Sequence, residues 1–486
     1  MKISVIGVGY LGAVHAASMA SIGHEVIGLD VDTERIRQLN AGIAPFHEPD
    51  FEPLLRAGIE AGTLRFTTDY AEIATADVHF LGLGTPQLPN GNGADLRYLE
   101  AAVSILATHL PARHGAPTLV VGKSTVPVGT ARRLARTLAH LDGVRLLWNP
   151  EFLREGFAVV DTLRPDRIVY GVNTPASDPE PREDHPAVQM LDAVYAPVLA
   201  HGMPRLLMGL EAAELVKASA NAFLATKISF INAIAEICEA TGADVTHVAR
   251  AIGMDERIGR RFLRAGVGFG GGCLPKDIRA FVASAEDLGC GSSLAFLREV
   301  DAINQRRRDR VVQWAREMLV GSEGADGVPA CGGAGGADSA FDAGSARSAR
   351  SADGTGGDGG NTLAGKRIAI LGASFKPDSD DVRDSPALEI AERLMDAGAD
   401  VCVTDPAALE NARRRVPGLH TASDLATALR DADLVLLLTE WTHYRDLDPD
   451  ELRPLLRHPC IIDGRGVIDP AQWRDAGWEV RALGRP

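Results

Sequence analysis

Apolar residues fall along this chain in short runs set between longer amphipathic stretches. Residues 2–30 read as strand, glycine turn, helix and strand. Further apolar runs follow at Val78–Leu83, Thr118–Gly122, Val144–Trp148 and Arg167–Val172, with helical spacing at Leu96–Leu110 and Ala131–Leu141 between them. Strands that alternate with helices predict a doubly wound parallel sheet. From Leu210 to Thr241 the pattern changes. No Gly or Pro interrupts Glu211–Glu239, and Leu215, Phe223, Ile231, Ile234 and Ile237 recur near helical spacing, which predicts one long helix flanked by others to about Leu319. Such a helix can join two domains and carry an oligomer interface. Lys366-Arg-Ile-Ala-Ile-Leu-Gly opens a second αβ unit, with later strands at Asp400–Thr404, Leu434–Thr439 and Cys460–Asp463.

Between these units, residues 321–361 are Gly, Ala, Ser and Asp with few large apolar side chains. That composition buries too little surface to offset the entropy of ordering, so a flexible linker is expected, with Cys331 incidental. The expected domains are 1–205 for the dinucleotide, 206–320 for the helices, the linker 321–361, and 362–486. At 486 residues the chain is too long for one core. Its net charge of −15 argues against nucleic acid or an anionic membrane as partner. An anionic small ligand would need locally placed Lys and Arg. None of the six cysteines forms a CxxC pair, so neither a metal site nor a disulfide framework is expected, which fits the reducing cytoplasm. The chain enters a strand at once, with no signal peptide ahead of it and no 18-residue apolar run to span a bilayer.

Five segments carry chemistry. Gly7-Val-Gly9-Tyr10-Leu11-Gly12 follows a strand and opens a helix, and Asp30 ends the next strand 18 residues on. An acid there accepts from adenosine ribose hydroxyls and disfavours a 2′-phosphate, which predicts NAD rather than NADP. Gly266-Val-Gly-Phe-Gly-Gly-Gly-Cys273-Leu-Pro-Lys-Asp277 places a thiol on a glycine-rich turn at the head of a helix. There the dipole is expected to favour thiolate, with Asp277 close by; the alternative is a chance cysteine on a loop. Cys238, Cys290, Cys402 and Cys460 read as buried and inert. Lys217 and Asn221 lie four apart on one face of the long helix, as reactive groups or as a solvated pair. Asn149-Pro-Glu151-Phe-Leu-Arg-Glu155 follows an apolar strand, offering carboxylates for proton work or mere surface charge. Lys376 and Arg383 follow the first strand of the second αβ unit, suited to phosphate or to a charged turn.

Together these segments, with Ser124-Thr125-Val-Pro-Val-Gly129, Pro165-Asp-Arg-Ile-Val and Asp463-Gly-Arg465, resemble the UDP-glucose/GDP-mannose dehydrogenase family along essentially the whole chain except 321–361. The resemblance implies two Rossmann-like doubly wound domains joined by a central long-helix domain. It implies oxidation of a nucleotide sugar, UDP-glucose first, at C6 to the carboxylate by two NAD+ and one water, for envelope or capsule polysaccharide. Cys273 would form a thiohemiacetal and then a thioester. Lys217 and Asn221 would stabilise oxyanion character, Asp277 and Glu155 would handle protons and water, and Glu151 and Thr125 would complete the catalytic set. Gly7, Gly9, Tyr10, Leu11, Gly12, Asp30, Arg35, Thr85, Thr125, Glu155, Lys276 and Arg383 fall on cofactor positions. Glu151, Phe152, Leu153, Lys217, Asn221, Phe262, Phe269, Gly270, Lys376 and Arg465 fall on nucleotide-sugar positions. Arg257 matches an arginine donated by a neighbouring subunit, which implies a homodimer or larger assembly. Cys-Leu-Pro-Lys-Asp also occurs in enzymes acting on GDP-mannose, so that sugar nucleotide is the alternative substrate.

Overall fold

The computed structural model describes residues 1–111, 117–174, 180–320 and 362–486. The expected linker 321–361, with Cys331, lies outside the described residues. Eight strands form the first sheet: β1 (Lys2–Ile6), β2 (Glu25–Leu29), β3 (Leu64–Thr67), β4 (Val78–Leu81), β5 (Thr118–Gly122), β6 (Val144–Trp148), β7 (Ile168–Val172) and β8 (Arg205–Gly209). Their order is β3-β2-β1-β4-β5-β6-β7-β8. Every pair is parallel except β6 with β7. β4, β5 and β7 are buried at every position, as strands covered by helices on both faces must be.

The second sheet repeats the plan with six parallel strands, β9 (Arg367–Leu371), β10 (Asp400–Thr404), β11 (His420–Ala422), β12 (Leu434–Leu437), β13 (Cys460–Asp463) and β14 (Glu479–Ala482), in the order β11-β10-β9-β12-β13-β14. In both sheets the order reverses beside the first strand, so a ligand crevice opens at the carboxyl ends of β1 and of β9.

The long helix runs Leu210–Thr241 and stops where Gly242 turns left-handed at φ 74° and donates its N–H to the Cys238 carbonyl. A second helix, Phe296–Val320, lies along it. Leu297 and Val300 enter the central core, whereas Val311, Val312, Trp314 and Ala315 enter the core of the second sheet, so one helix is shared by two domains. Its Arg307 and Arg308 are buried yet paired, Arg307 with Glu239 and Arg308 with Glu389 and the Phe269 carbonyl. Cys238 and Cys402 are buried as expected, but Cys290 is exposed and Cys460 half-buried. Cys290 follows a helix end, where the turn carries it out of the core.

Candidate active site

The dinucleotide turn is built from its three glycines. Gly7 takes φ 86° and donates its N–H to the Leu29 carbonyl. A Cβ on Gly12 would sit 1.9 Å from the Gly7 carbonyl oxygen, so the helix Tyr10–Ser21 approaches the turn this closely only with glycine there. A Cβ on Gly9 would meet nothing within 4 Å, leaving that face open for a pyrophosphate. Asp30 accepts from the Val8 N–H at 2.9 Å and from Arg35 at 3.1 Å, which places acid and arginine together at the end of β2. These residues fit a dinucleotide. Thr85 donates to the Thr125 carbonyl at 2.7 Å, and both line a cleft with Gln87, Lys276 and Asp277. The cofactor candidates Thr85 and Thr125 and the cysteine helix therefore share one opening. Tyr10 is turned to Glu48 and Gly156, and Lys276 to the Asp277 carboxylate.

Cys273 stands immediately before the helix Leu274–Asp287. Asp277 donates its backbone N–H to the Cys273 carbonyl at 3.0 Å, and its carboxylate accepts from Asn221 at 2.7 Å and from Lys276. The link from Asn221 to Asp277 fastens the long helix to the cysteine helix. Around the thiol, Lys217, Lys276, Lys376 and Arg383 supply positive charge, and Asp277 and Glu155 negative charge. The helix head does not win the contest expected for it. Surrounding protein pushes the Cys273 thiol up, Asp277 adds to this, and Lys217 and Lys276 oppose it. Cys273 is exposed, yet these influences favour its protonated form, so its attack calls for a proton acceptor.

The glycines before Cys273 form the expected glycine-rich turn, and their main burden is contact between domains. A Cβ on Gly270 would lie 2.2 Å from the Asp384 carbonyl oxygen, on Gly271 2.8 Å from the Phe375 ring, and on Gly272 2.2 Å from the Arg383 guanidinium. The turn after β9 is seated directly on the cysteine loop. From that turn Lys376 donates to the Glu155 carbonyl, and Arg383 lies 3.2 Å from Oε1 of Glu155. Glu155 is pushed up to about 7, first by burial and next by Asp381, against the pull of Arg383 and Lys376. Across the same loop, the Glu151 carboxylate accepts from the Leu153 N–H and faces Lys123 at 3.5 Å. The Phe152 ring carries Arg167 at 3.9 Å and the Lys217 ammonium at 5.4 Å.

Other expected residues have different surroundings. The Phe269 side chain is buried in the central core, and its N–H and carbonyl are both bound to Asn304. Arg465 is spent on the carbonyls of Leu438, Gly268 and Phe375. Phe262, at φ 64°, lines a basic pocket with Arg260, Arg264, Arg465 and Arg485. Arg257 is exposed and paired with Asp255.

Sequence reasoning passed over three buried charges. Glu214 accepts from the N–H groups of Gly129 and Ala131 at 2.7 and 2.6 Å, tying the long helix to the Thr125–Gly129 loop. Lys123 is buried against Asn149 and Tyr195. Glu48 holds Gly156 and Ala158. Lys123 adjoins Ser124-Thr125, a signal that was available; Glu48 and Glu214 sit in no such motif.

Residues 1–199 match the NAD binding domain of the UDP-glucose/GDP-mannose dehydrogenase family, residues 211–306 its central domain and residues 369–470 its UDP binding domain. A UDP-glucose 6-dehydrogenase of Rhizobium meliloti is 37% identical over 490 residues, covering 100% of both chains. One from Pseudomonas aeruginosa is 36% identical over 501 residues, covering 100% of this chain and 98% of that one. The solved structure of a UDP-glucose dehydrogenase from Pyrobaculum islandicum superposes with a TM-score of 0.80 at 33% identity, covering 100% of this chain and 98% of the other. The two doubly wound sheets, the helix they share and the glycine turn that fits NAD thus stand in the order of a known plan: the chain belongs to the UDP-glucose/GDP-mannose dehydrogenase family.

Proposed function

We propose that this chain oxidises the C6 alcohol of UDP-glucose to the carboxylate in two hydride-transfer stages, with Cys273 holding the intermediate covalently. The observation that carries this reading is the thiol at the head of Leu274–Asp287, ringed by two acids and four cations, on a helix whose Lys276 and Asp277 line one cleft with Thr85 and Thr125. Gly7, Gly9, Gly12, Asp30, Arg35 and Thr85 would hold NAD, which supplies the hydride acceptor. The UDP binding domain match over 369–470 supports a uridine nucleotide.

The chain's own groups divide the remaining work. The alcohol gives up one hydride and one proton to become the aldehyde. Sγ of Cys273 then adds to C6, and its proton passes by way of a nearby carboxylate to the carbonyl oxygen, which becomes the hydroxyl of a thiohemiacetal. Lys217 and Asn221 would stabilise negative charge on that oxygen, with Asn221 held by its 2.7 Å bond to the Asp277 carboxylate. Loss of a second hydride and proton leaves a thioester. Water, deprotonated by Glu155, attacks the carbonyl carbon; the C–S bond breaks and the thiol is regenerated. The whole consumes one water, transfers two hydrides and releases three protons. Burial suits Glu155 to its task, because a base poised near neutrality is available in both forms. Glu151 and Lys123 hold the loop that presents it.

Two further features support the assembly and the setting. Phe223, Phe230 and Ile237 are exposed on the long helix at seven-residue intervals, forming a stripe that a second copy would cover. A homodimer would then bring Arg257 to its neighbour's site. No helix among the described residues is long and apolar enough to cross a membrane, and we place the enzyme in the cytoplasm, supplying a uronate for envelope polysaccharide. The test is to hold Cys273→Ala with NAD+ and UDP-glucose beside the parent enzyme. The parent should yield UDP-glucuronate and, in acid-quenched samples, a peptide containing Cys273 with the sugar nucleotide attached. Cys273→Ala should yield neither. Equal uronate formation by the variant would end the thioester reading, and turnover of GDP-mannose alone would replace the substrate.

A further inference from the structure

We infer that Glu48 is a positioning residue that ties the dinucleotide turn to Glu155. The inference rests on the proposed proton role of Glu155. Glu48 is 7% exposed and lies in the segment between β2 and β3, far in sequence from everything it holds. Its Oε2 accepts from the Gly156 N–H at 2.6 Å and from the Tyr10 hydroxyl; its Oε1 accepts from the Ala158 N–H at 2.7 Å. The Gly156 N–H also reaches the Tyr10 hydroxyl at 3.1 Å. Tyr10 begins the helix that leaves the glycine turn, and its ring leans on Phe46 at 4.7 Å, which stacks on Phe51 at 5.0 Å. One carboxylate thus joins the helix beside the dinucleotide turn to the residue directly after Glu155.

The far side of Glu155 is held as firmly. Lys376 takes the Glu155 carbonyl, and Gly156, at φ 78°, has its Cβ position closed off 2.9 Å from the Asp378 carbonyl oxygen. The Glu155 side chain itself faces Lys376, Ser379, Asp381 and Arg383 from the second αβ domain, Cys273 from the cysteine helix, and Tyr10 from the dinucleotide helix. A small rotation of the backbone at Gly156 would change how Glu155 divides its contacts between Asp381 and Arg383. Glu48 sets that rotation. A carboxylate suits the task because three donors converge on two oxygens. An amide accepts through one oxygen only, and its NH2 would face a backbone N–H.

The experiment compares Glu48→Gln and Tyr10→Phe in the full-length enzyme, with Glu155→Gln as reference, by pH profiles of kcat and by thermal unfolding. The parent should show an ionisation limb near 7 that Glu155→Gln removes. Glu48→Gln should lower kcat about 10- to 100-fold and displace the limb. Tyr10→Phe should displace it the same way by less, and the double variant should be no worse than Glu48→Gln. A limb that stays in place in folded Glu48→Gln, or additive effects of the two substitutions, would reduce Glu48 to a loop anchor and overturn the inference. If Glu48→Gln does not fold, displacement of the limb in Tyr10→Phe decides alone. Should Glu155→Gln keep the limb, the proton role of Glu155 falls and this inference with it; loss of the limb in Glu155→Gln but not in the other two refutes only the link through Glu48.

Discussion

Replacing Gly270 by alanine puts a methyl group where two domains touch backbone to backbone. The new Cβ would stand 2.2 Å from the Asp384 carbonyl oxygen and 2.8 Å from Cδ of Pro386. An ordinary contact begins near 3.4 Å, so the facing chain must retreat by about 1.2 Å. It has little freedom to do so alone. The Arg383 carbonyl accepts from Gly271 at 2.8 Å, and Ser385 both donates to the Ala373 carbonyl at 2.6 Å and caps the helix Pro386–Asp396. The retreat must therefore break the bond between Gly271 and Arg383 or move the turn after β9 as a body, taking Lys376 and Arg383 away from Glu155. Overpacking of this kind costs about 1–3 kcal/mol, and displacing reacting groups by about 1 Å costs about 100-fold in rate. Gly272→Ala is the control. The three atoms nearest its Cβ all belong to the Arg383 guanidinium, the far end of a flexible side chain that can swing aside. Thermal unfolding and steady-state NADH formation with UDP-glucose separate the two variants. Gly270→Ala should lower both the unfolding midpoint and kcat; Gly272→Ala should leave the midpoint nearer the parent and lose kcat through the weakened contact between Arg383 and Glu155. Gly270→Ala matching the parent in both, or Gly272→Ala proving the less stable variant, would refute the clash at Asp384.

Removing the ammonium of Lys217 with Lys217→Ala should lower kcat about 10²- to 10³-fold while NAD affinity, measured by fluorescence titration, is retained; an equal loss of NAD binding would place Lys217 in the cofactor site. Glu214 is pushed up to about 7, first by burial, against the two N–H groups that it caps. A raised carboxyl contributes stability that is full below its unfolded pKa and is lost as pH rises through its folded value, so the window runs from about 4.5 to about 7. The unfolding midpoint of Glu214→Gln relative to the parent should accordingly improve as pH rises from 5 to 8, and a constant difference across that range would contradict it.

How much of this was legible in the sequence depended on whether the cause was local. β5 and β6 have the bounds their apolar runs predict: β5 is buried at every position and leaves a continuous hydrophobic run, and β6 ends on the buried Leu146, Leu147 and Trp148. The long helix ends where Gly242 follows it. The glycine turn with Asp30 was readable because turn, helix and acid lie within one βαβ unit. The Gly270–Gly272 run was visible, but its reason was not, since Asp384, Phe375 and Arg383 arrive from more than a hundred residues away. Glu48 was invisible for the same cause. The helix dipole misled at Cys273, because the segment read by itself says nothing of the groups that distant parts of the chain bring near the thiol, Glu155 among them. On the long helix the apolar positions do not share one face: Ile231 is buried, whereas Phe223 and Ile237 are exposed.

The central claim is that one thiol carries the sugar through two oxidations. It is tested most directly by counting NADH formed per nucleotide sugar consumed, with purified enzyme, excess NAD+ and limiting UDP-glucose. The thioester route requires two NADH for each UDP-glucose, with UDP-glucuronate as the product. One NADH per UDP-glucose, with the aldehyde as product, would contradict the account and remove Cys273 from its centre.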